Sequence, residues 1–224
     1  MASKNLYKIM PKELLKNKYK NYNKDAPQHP ARILISGPSG SGKTNLAVNI
    51  VHQMGNFDRV IIICKNPDEP MLKFLSIRLK KLKVPCKISI KLSDLPSLSD
   101  EKKTEKDELD QTLIIFDDMV AESTKVLRMI FPYFSMGRHH GFSTMFITQS
   151  FFKTPKFIRD NCTDFFFLKT SDKNDIKNII NRFTGILDKE TLLKMYLSAT
   201  KNKFDFFWIS PDHPDDNKKY RSSF

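Results

Sequence analysis

Cysteine and glycine are scarce in this chain of 224 residues, which contains three cysteines and seven glycines. Cys64, Cys86 and Cys162 lie far apart and form no C-x-x-C pair, so the sequence indicates neither a zinc site nor a disulfide framework. No apolar stretch approaches the roughly 18 residues of a membrane-spanning helix, and lysines interrupt the N-terminus where a secretory signal needs an apolar centre. We therefore expect reduced thiols, no membrane span and no secretory signal.

Acidic residues are in deficit, because 25 Asp and Glu stand against 38 Lys and Arg, giving a formal charge of +13. This balance favours a polyanionic partner such as nucleic acid or an acidic membrane surface. The basic residues concentrate in an N-terminal arm, 1–30, and in the stretch 71–92, which has no acidic residue. Each stretch is compatible with DNA contact and equally with a solvated surface, so both interpretations stay open.

Short apolar runs alternate with segments of helical periodicity along the rest of the chain. The predicted strands are 32–36, 59–64, 87–90, 112–118, 143–149, 164–169 and 204–210. The predicted helices are 43–54, 69–83, 122–136, 173–183 and 189–199. Alternation of this kind predicts an α/β fold with a mostly parallel central sheet and helices on both faces, whereas the charged segment 93–110 predicts a surface loop.

The stretch "GPSGSGKT" at 37–44 follows the first predicted strand and opens the first helix. It fits G-x-x-x-x-G-K-[ST], in which backbone N–H groups surround phosphate oxygens, the lysine reaches the β- and γ-phosphates, and the hydroxyl binds Mg²⁺. We therefore predict a site for a nucleoside triphosphate, ATP, with Mg²⁺. The residues predicted to bind the nucleotide are Gly37, Pro38, Ser39, Gly40, Ser41, Gly42, Lys43, Thr44 and Asn45.

Two acids and an amide follow later strands. "LIIFDD" ends in Asp117 and Asp118, and "FITQS" carries Gln149 at the end of the next strand. Carboxylates at the carboxyl end of a strand lie beside the P-loop in such sheets, so Asp117 is predicted to support Mg²⁺ and Asp118 to polarise the attacking water. Gln149 is placed to hydrogen-bond the γ-phosphate and that water. The alternatives are solvated loop acids and an ordinary strand terminus.

An arginine acting on a neighbouring subunit's nucleotide is a further expectation, because a guanidinium can stabilise the charge of the transition state. "GRHHG" at 137–141 places Arg138 on a glycine-flanked loop, which makes it the first candidate. Arg159, in "KFIRDN", competes with it. Either arginine is equally compatible with a simple surface ion pair.

With these motifs in this order, residues 30–170 resemble the poxvirus-type virion DNA-packaging ATPases of the HerA/FtsK superfamily, and "TPKFIRDNCTDFFFLK" at 154–169 adds to the likeness. The resemblance implies an ATP-driven motor that moves double-stranded DNA into a preformed capsid. The fold it implies is a RecA-like P-loop NTPase. From the residues we assign 31–210 to this domain and 211–224 to a polar, solvated tail. It further implies a homo-oligomeric ring, pentamer or hexamer, with capsid or portal-vertex partners, acting at viral assembly sites in the host cytoplasm and present in the virion.

One feature of the sequence departs from the family's pattern. Superfamily pumps often carry Asp-Glu where this chain has Asp117-Asp118, which makes the role of Asp118 less secure.

A small-molecule or nucleoside kinase would use the same P-loop, but it needs an arginine-rich lid, and the nearest candidate, 181–190, carries only Arg182. A switch-like nucleotide binder is a third class, although no guanine-reading N-K-x-D motif stands in the expected place.

Overall fold

The computed structural model of this chain describes residues 19–98, 110–185 and 187–224. Within them the strands are β1 (Arg32–Ser36), β2 (Arg59–Cys64), β3 (Cys86–Ser89), β4 (Thr112–Asp117), β5 (Phe142–Thr148), β6 (Asp164–Leu168), β7 (Phe206–Ile209) and β8 (Tyr220–Arg221). The helices are α1 (Lys43–Met54), α2 (Pro70–Lys81), α3 (Thr124–Ser135), α4 (Lys156–Asn161), α5 (Lys173–Phe183) and α6 (Lys189–Ala199).

The strands of the described chain form one eight-stranded sheet in the order β3-β2-β4-β5-β1-β6-β7-β8. Strands β1 to β6 pair in parallel, whereas β7 runs antiparallel to both of its neighbours. The mostly parallel sheet of the α/β prediction is therefore confirmed. The antiparallel edge is the difference. Two helices, α5 and α6, join β6 to β7 and return the chain to the edge at which β6 ends, so Phe206 at the start of β7 pairs with Leu168 at the end of β6.

Two hydrophobic layers cover the sheet, one on each face. In β1, Ile33 and Ile35 pack in the layer that contains α1 and α2, while Leu34 packs in the layer that contains α3 to α6. Successive side chains of a strand point to opposite faces, so a continuous apolar run supplies both layers at once. This three-layer arrangement explains why the core strands read as uninterrupted apolar runs.

Several helix ends are set by capping side chains. Ser123 accepts from the N–H of Val126 at the start of α3, and Asp188 accepts from Thr191 at the start of α6. Asp172 does the same for α5, where its carboxylate accepts from two backbone N–H groups. Such caps satisfy donors that the first turn of a helix leaves unpaired. They place the helix starts close to where the sequence predicted them.

The two segments flanking the predicted domain pack against it. We expected residues 1–30 to form an exposed arm, but Ala26 and His29 are buried, and His29 hydrogen-bonds Ser143 Oγ and the Gly55 carbonyl. Residues 1–18 lie outside the described part. The expectation of a solvated C-terminal tail is wrong for β8, which pairs with β7, and for Phe224, whose ring lies 5.8 Å from that of Trp208. Apolar side chains in both segments drive this packing.

The two segments also contact each other. Lys218 Nζ lies 2.6 Å from a carboxylate oxygen of Asp25, and Arg221 donates a hydrogen bond to the Asp25 carbonyl. Both contacts lie at the edge of the sheet where the parallel strands begin, called here the amino edge. The boundaries at residues 30 and 210 stay predictions, because described residues on both sides of them belong to one packed unit.

The remaining differences are local. The short helix α4 forms in a segment for which no helix was predicted. The predicted 204–210 strand begins at Phe206 because Phe204 adopts a turn conformation with φ 73°. Of the predicted loop 93–110, residues 99–109 lie outside the described part. No helix among the described residues is long and apolar enough to cross a membrane.

Candidate nucleotide site

The sheet topology brings the predicted motifs to one place. Strands β4, β5 and β1 are direct neighbours, and they end at the same level because Asp117 pairs with Ile147 and Ser36 pairs with Thr148. The residues that follow these strands therefore meet at one edge, called here the carboxyl edge. Ligands of open α/β sheets bind at this edge.

The P-loop has the backbone that phosphate binding requires. Gly40 and Gly42 adopt positive φ angles of 73° and 98°, which glycine tolerates without steric cost. Gly42 precedes α1 and provides no side-chain cap, and the first turn of α1 has no acidic residue. The first N–H groups of the helix are thus available to an anion, and the helix dipole favours negative charge there.

Lys43 bends back over this loop, where its Nζ donates to the Pro38 carbonyl at 2.9 Å. Burial lowers the pKa of Lys43, and the nearby carboxylates of Asp117 and Asp118 oppose that effect. An ammonium group partly withdrawn from water interacts more strongly with added phosphate than an exposed lysine would. The geometry is therefore that of a phosphate-binding lysine.

The acids of the predicted pair differ in their surroundings. Burial raises the pKa of Asp117 to about 6, with a further contribution from the negative charge of Asp118, while Lys43 acts in the opposite direction. Asp118 has a positive φ of 56°, and its N–H donates to the Ile147 carbonyl. Gln149 Nε2 donates to Asp118 Oδ1 at 3.2 Å, so the predicted sensor and the predicted base are in direct contact.

A cleft of about 670 Å³ opens between these groups. Its volume suits a nucleotide, since small-molecule sites measure about 300–1,000 Å³. The residues that line it are Ser39, Gly40, Gly42, Lys43, Thr44, Asn45, Glu69, Met71, Asp117, Asp118, Gln149 and Phe204. Most of the predicted nucleotide-binding residues are thus brought to one cavity.

Three predicted residues take other positions. Gly37 lies beneath the loop, where a Cβ atom would come within 2.9 Å of Leu168 Cβ. The Ser41 hydroxyl is buried, and no hydrogen-bond partner for it lies in the part of the chain that the structure describes. Pro38 borders a second cleft, which adjoins the first through Ser39, Asp118 and Gln149. Gly37 and Ser41 therefore shape the loop, and neither lines the cleft.

The donor set of the cleft fits Mg²⁺. Thr44 offers a hydroxyl and Asp117 a carboxylate, which are the hard oxygen ligands this ion prefers. Across the described ranges, no group of three His, Cys, Asp or Glu side chains could hold a metal ion alone. Mg²⁺ commonly binds through one or two protein ligands together with substrate phosphates, so this sparse set is the expected one.

Neither predicted arginine lines the cleft. Arg138 lies in the 3-10 turn Gly137–His140 before β5, at the amino edge, and its carbonyl accepts from the Tyr19 hydroxyl. A seven-residue strand separates this turn from Gln149, which is about 23 Å at a 3.3 Å rise. Arg159 on α4 lies over the Phe151 ring at 5.2 Å, and burial lowers its pKa. Neither can serve the nucleotide of its own subunit in this geometry.

Three residues near the site were missed by sequence reasoning. Asp175 on α5 is buried and accepts from Ser150 Oγ and from the N–H groups of Phe151 and Phe152, which fixes the loop that follows Gln149. Glu69 caps α2 and Phe204 lies over the P-loop, and both line the cleft. No local motif marks Asp175 or Phe204, because their partners are distant in sequence, whereas the sequence position of Glu69 indicates only a helix start.

The sheet order, the P-loop and the acids at the carboxyl edge define a P-loop NTPase of the RecA-like class, a three-layer α/β sandwich. The comparison with protein families narrows this class. The family model described as Poxvirus A32 protein matches residues 18–206, which is most of the chain. The chain therefore belongs to the Poxvirus A32 protein family. No curated protein matches it in sequence.

Solved structures show the same fold. The genome packaging NTPase B204 from Sulfolobus turreted icosahedral virus 2, in complex with AMPPCP, superposes with a TM-score of 0.57 at 14% identity, covering 86% of this chain and 96% of that one. B204 described as the DNA-packaging ATPase from Sulfolobus turreted icosahedral virus gives 0.56 at 13%, covering 89% and 97%. The cytoplasmic domain of the Thermomonospora curvata type VII secretion ATPase EccC gives 0.51 at 13%, covering 85% and 25%.

Proposed function

We propose that this protein is an ATPase that moves double-stranded viral DNA into a preformed capsid. The observation that carries the proposal is the convergence of Lys43, Thr44, Asp117, Asp118 and Gln149 on one cleft at the carboxyl edge. Membership of the Poxvirus A32 protein family and the fold shared with B204 support it. B204 is itself described as a DNA-packaging ATPase and has been solved with AMP, AMPPCP and ATP-γS.

Each residue of the cleft has a role that its position supports. Backbone N–H groups of the P-loop and Lys43 would hold the phosphates, while Thr44 and Asp117 would hold Mg²⁺, which neutralises charge on the terminal phosphates when bound. Asp118 accepts a proton from the attacking water, and Gln149 orients that water while bonded to Asp118. Asp175 is a positioning residue, because its carboxylate fixes the backbone after Gln149.

The proposed active form is a homo-oligomeric ring, pentamer or hexamer. Arg138 lies at the edge of the sheet opposite the nucleotide cleft, so a role in hydrolysis requires the cleft of a neighbouring subunit. The adjoining second cleft, which reaches Asp118 and Gln149 from outside and is bordered by Asp172 and Asp175, has the acidic lining that an incoming guanidinium would favour. Arg159 is the less suitable candidate, since it packs on Phe151 within its own subunit.

The DNA-contacting surface of the proposed motor includes α2 and the residues after it. Lys73 and Lys87 of this stretch form ion pairs with Asp68 and Asp94. The others are exposed, and in the described part of the chain no ion pair involves Lys80, Lys81 or Lys83. Phosphate contacts of this kind release counterions, so DNA binding should weaken steeply with added salt. The proposed partners are capsid or portal-vertex proteins. The proposed location of the motor is viral assembly sites in the host cytoplasm, and the virion.

The kinase alternative is not favoured. Arg182, the single arginine of the lid candidate at 181–190, pairs with Asp160 at 3.0 Å and packs over the rings of Phe165 and Phe183. It does not line the nucleotide cleft. A lid arginine has to reach the transferred phosphoryl group. Arg182 instead packs on Phe165 and Phe183, which belong to the hydrophobic layer of α3 to α6, on the face of the sheet opposite α1.

The first experiment measures ATP hydrolysis with and without double-stranded DNA, together with light scattering of the same sample. Stimulation by DNA and a ring-sized mass are the expected results. Lys80→Ala/Lys81→Ala/Lys83→Ala should reduce stimulation and leave DNA-free turnover unchanged, whereas the matched control Lys194→Ala, an exposed lysine paired with Glu190, should change neither. A DNA-indifferent monomer that phosphorylates a small acceptor would contradict the motor.

The second experiment tests the arginine. Arg138→Ala should keep nucleotide affinity and lose hydrolysis, because the arginine that enters the neighbouring cleft is missing. Asp118→Ala should also lose hydrolysis, because the acid within the cleft is missing. Mixed subunits of the two variants form some interfaces in which an intact Arg138 meets an intact Asp118. Partial recovery of turnover on mixing is therefore expected. Absence of any recovery would remove Arg138 from the mechanism, and the same mixing with Arg159→Ala then tests the competitor.

A further inference from the structure

We propose that Phe204 is the platform on which the base of the bound nucleotide stacks. The inference rests on the proposed function, because it concerns the same cleft, and it names the group that holds the base. Phe204 lies in the turn between α6 and β7 and lines the cleft with Gly42, Lys43, Thr44 and Asn45. Its ring is so close to the P-loop that a Cβ atom on Gly42 would come within 2.4 Å of Phe204 Cδ1.

The backbone of Phe204 is held in an unfavourable conformation. Its φ of 73° lies in the left-handed region, which bulky residues rarely adopt. The turn is fixed by Asp205, whose carboxylate accepts from the N–H and the side-chain amide of Asn202 at 3.0 and 2.8 Å. Glycine would occupy this position without strain, so a phenylalanine here is a costly choice. Such strain concentrates at functional sites.

The Phe204 side chain is also poorly placed for a purely structural role. It is 52% exposed, whereas the rings of the neighbouring strand β7, Phe207 and Trp208, are buried. An exposed ring contributes little to the core but offers a face to a planar ligand. Lys203 Nζ lies 5.1 Å from the ring centroid and adds positive charge beside the phosphate-binding loop.

The lining of the cleft contains two kinds of groups. The P-loop, Asp117, Asp118 and Gln149 are polar and suit the phosphates. The large apolar side chains of the lining are Met71 and Phe204. A nucleotide has the same division, with charged phosphates at one end and a flat aromatic base at the other. Stacking on an aromatic ring tolerates any base, because every base has a π-face.

The test compares two probes, AMPPCP with Mg²⁺, which carries a base, and inorganic tripolyphosphate with Mg²⁺, which has none. Phe204→Gly removes the ring and relieves the positive φ, so the variant should be at least as stable as the wild type. Its affinity for AMPPCP should fall about tenfold, as loss of a base-stacking ring does, while its affinity for tripolyphosphate should not change. Phe204→Tyr should keep wild-type affinity for both. Titration calorimetry measures all of these.

Phe74→Ala provides the matched control, because Phe74 is an exposed ring with a neighbouring cation, Arg78, and lies outside this cleft. It should bind both probes as the wild type does. Equal AMPPCP affinity of Phe204→Gly and wild type would overturn the stacking role and leave the proposed ATPase intact. Equal weakening for both probes would assign Phe204 to the P-loop conformation instead. A wild-type protein that binds neither probe would overturn the proposed function itself.

Discussion

The two edges of the central sheet differ in the hydrogen-bond donors that they provide to an acidic side chain withdrawn from water. At the carboxyl edge, Asp117 is largely buried beside a second acid, and within the described ranges no hydrogen bond reaches its side chain; burial raises its pKa to about 6. At the amino edge, Asp164 is also buried, but its carboxylate accepts from Thr163, Trp208 and Ser210. The first acid lines an open cleft, and the second is buried among its three hydrogen-bond donors.

This difference shows how one sheet separates function from stability. A buried carboxylate without donors destabilises the free protein and can be compensated by a bound ligand, whereas one with three donors is part of the packed structure. His29 of the N-terminal segment packs at the amino edge against Ser143 and Gly55, whereas the carboxyl edge carries the open cleft. Substitutions at the first edge should therefore alter activity, and substitutions at the second should alter the free energy of unfolding.

The largest expected effect is at the carboxyl edge. Lys43→Ala should lower ATP turnover by at least about a hundredfold, because the cation that stabilises phosphate charge in the transition state is lost. Its free energy of unfolding should stay within about 0.5 kcal/mol of wild type, since the side chain makes a single hydrogen bond, to Pro38. Steady-state hydrolysis and urea unfolding measure the two. A large loss of stability would mean that the two edges are not separable.

Asp164→Ala tests the amino edge. Removing the carboxylate leaves the Trp208 indole N–H and the Ser210 hydroxyl buried without an acceptor, so the free energy of unfolding should fall by about 3–5 kcal/mol. The fraction that remains folded should hydrolyse ATP at the normal rate. Asp216→Ala, which removes an exposed acid paired with Lys219, is the control and should cost little. Equal effects of the two substitutions would contradict the buried network.

The pH dependence of stability provides a smaller effect at the same edge. Burial lowers the pKa of His29 below its usual 6.5, although the Gly55 carbonyl and Asp58 oppose this. The unfolded chain therefore takes up a proton that the folded chain resists, and stability should fall as the pH drops below 6.5, by at most about 1.4 kcal/mol per pH unit. His29→Gln should flatten this part of the profile. His52→Gln, on the exposed face of α1, should leave it as in wild type.

The smallest effect concerns the C-terminal contact. Phe224→Ala should lower the free energy of unfolding by about 1 kcal/mol, because its half-buried ring packs against Phe166, Phe206 and Trp208. Trp208 is the single tryptophan of the chain, so its fluorescence follows urea unfolding at this position. ATP turnover should not change. A loss of turnover without loss of stability would show that the contact of Phe224 with Phe206 also influences the nucleotide cleft, through the adjacent Phe204.

Much of the fold could be predicted because local sequence determines it. The apolar run before Asp117 predicted β4 within one residue, and the periodicity of 173–183 predicted α5 with its bounds. The direction of β7 could not be predicted, since it depends on pairing with β6, which lies far earlier in the sequence. Strand β8 has only two residues, which is too short for a recognisable pattern. The six residues of α4 are too few to show helical periodicity.

The candidate site likewise contains residues that the sequence could predict and residues that it could not. The P-loop residues follow a contiguous motif whose spacing carries the chemistry, so Lys43 and Thr44 were identifiable from sequence alone. Asp175 and Phe204 act through residues more than twenty positions away, and no spacing rule connects them to the P-loop. For Arg138 the sequence supplied a candidate but no position. Its placement at the far end of β5 came only from the three-dimensional structure.

That placement has a mechanical consequence. Strand β5 is hydrogen-bonded to β4 on one side and to β1 on the other over its length, so it resists sliding along its own axis. The turn that carries Arg138 lies at one end of this strand, and Gln149 lies at the other. In the proposed ring, a force that a neighbouring subunit exerts on one end of β5 would be transmitted to the other end without an intervening hinge.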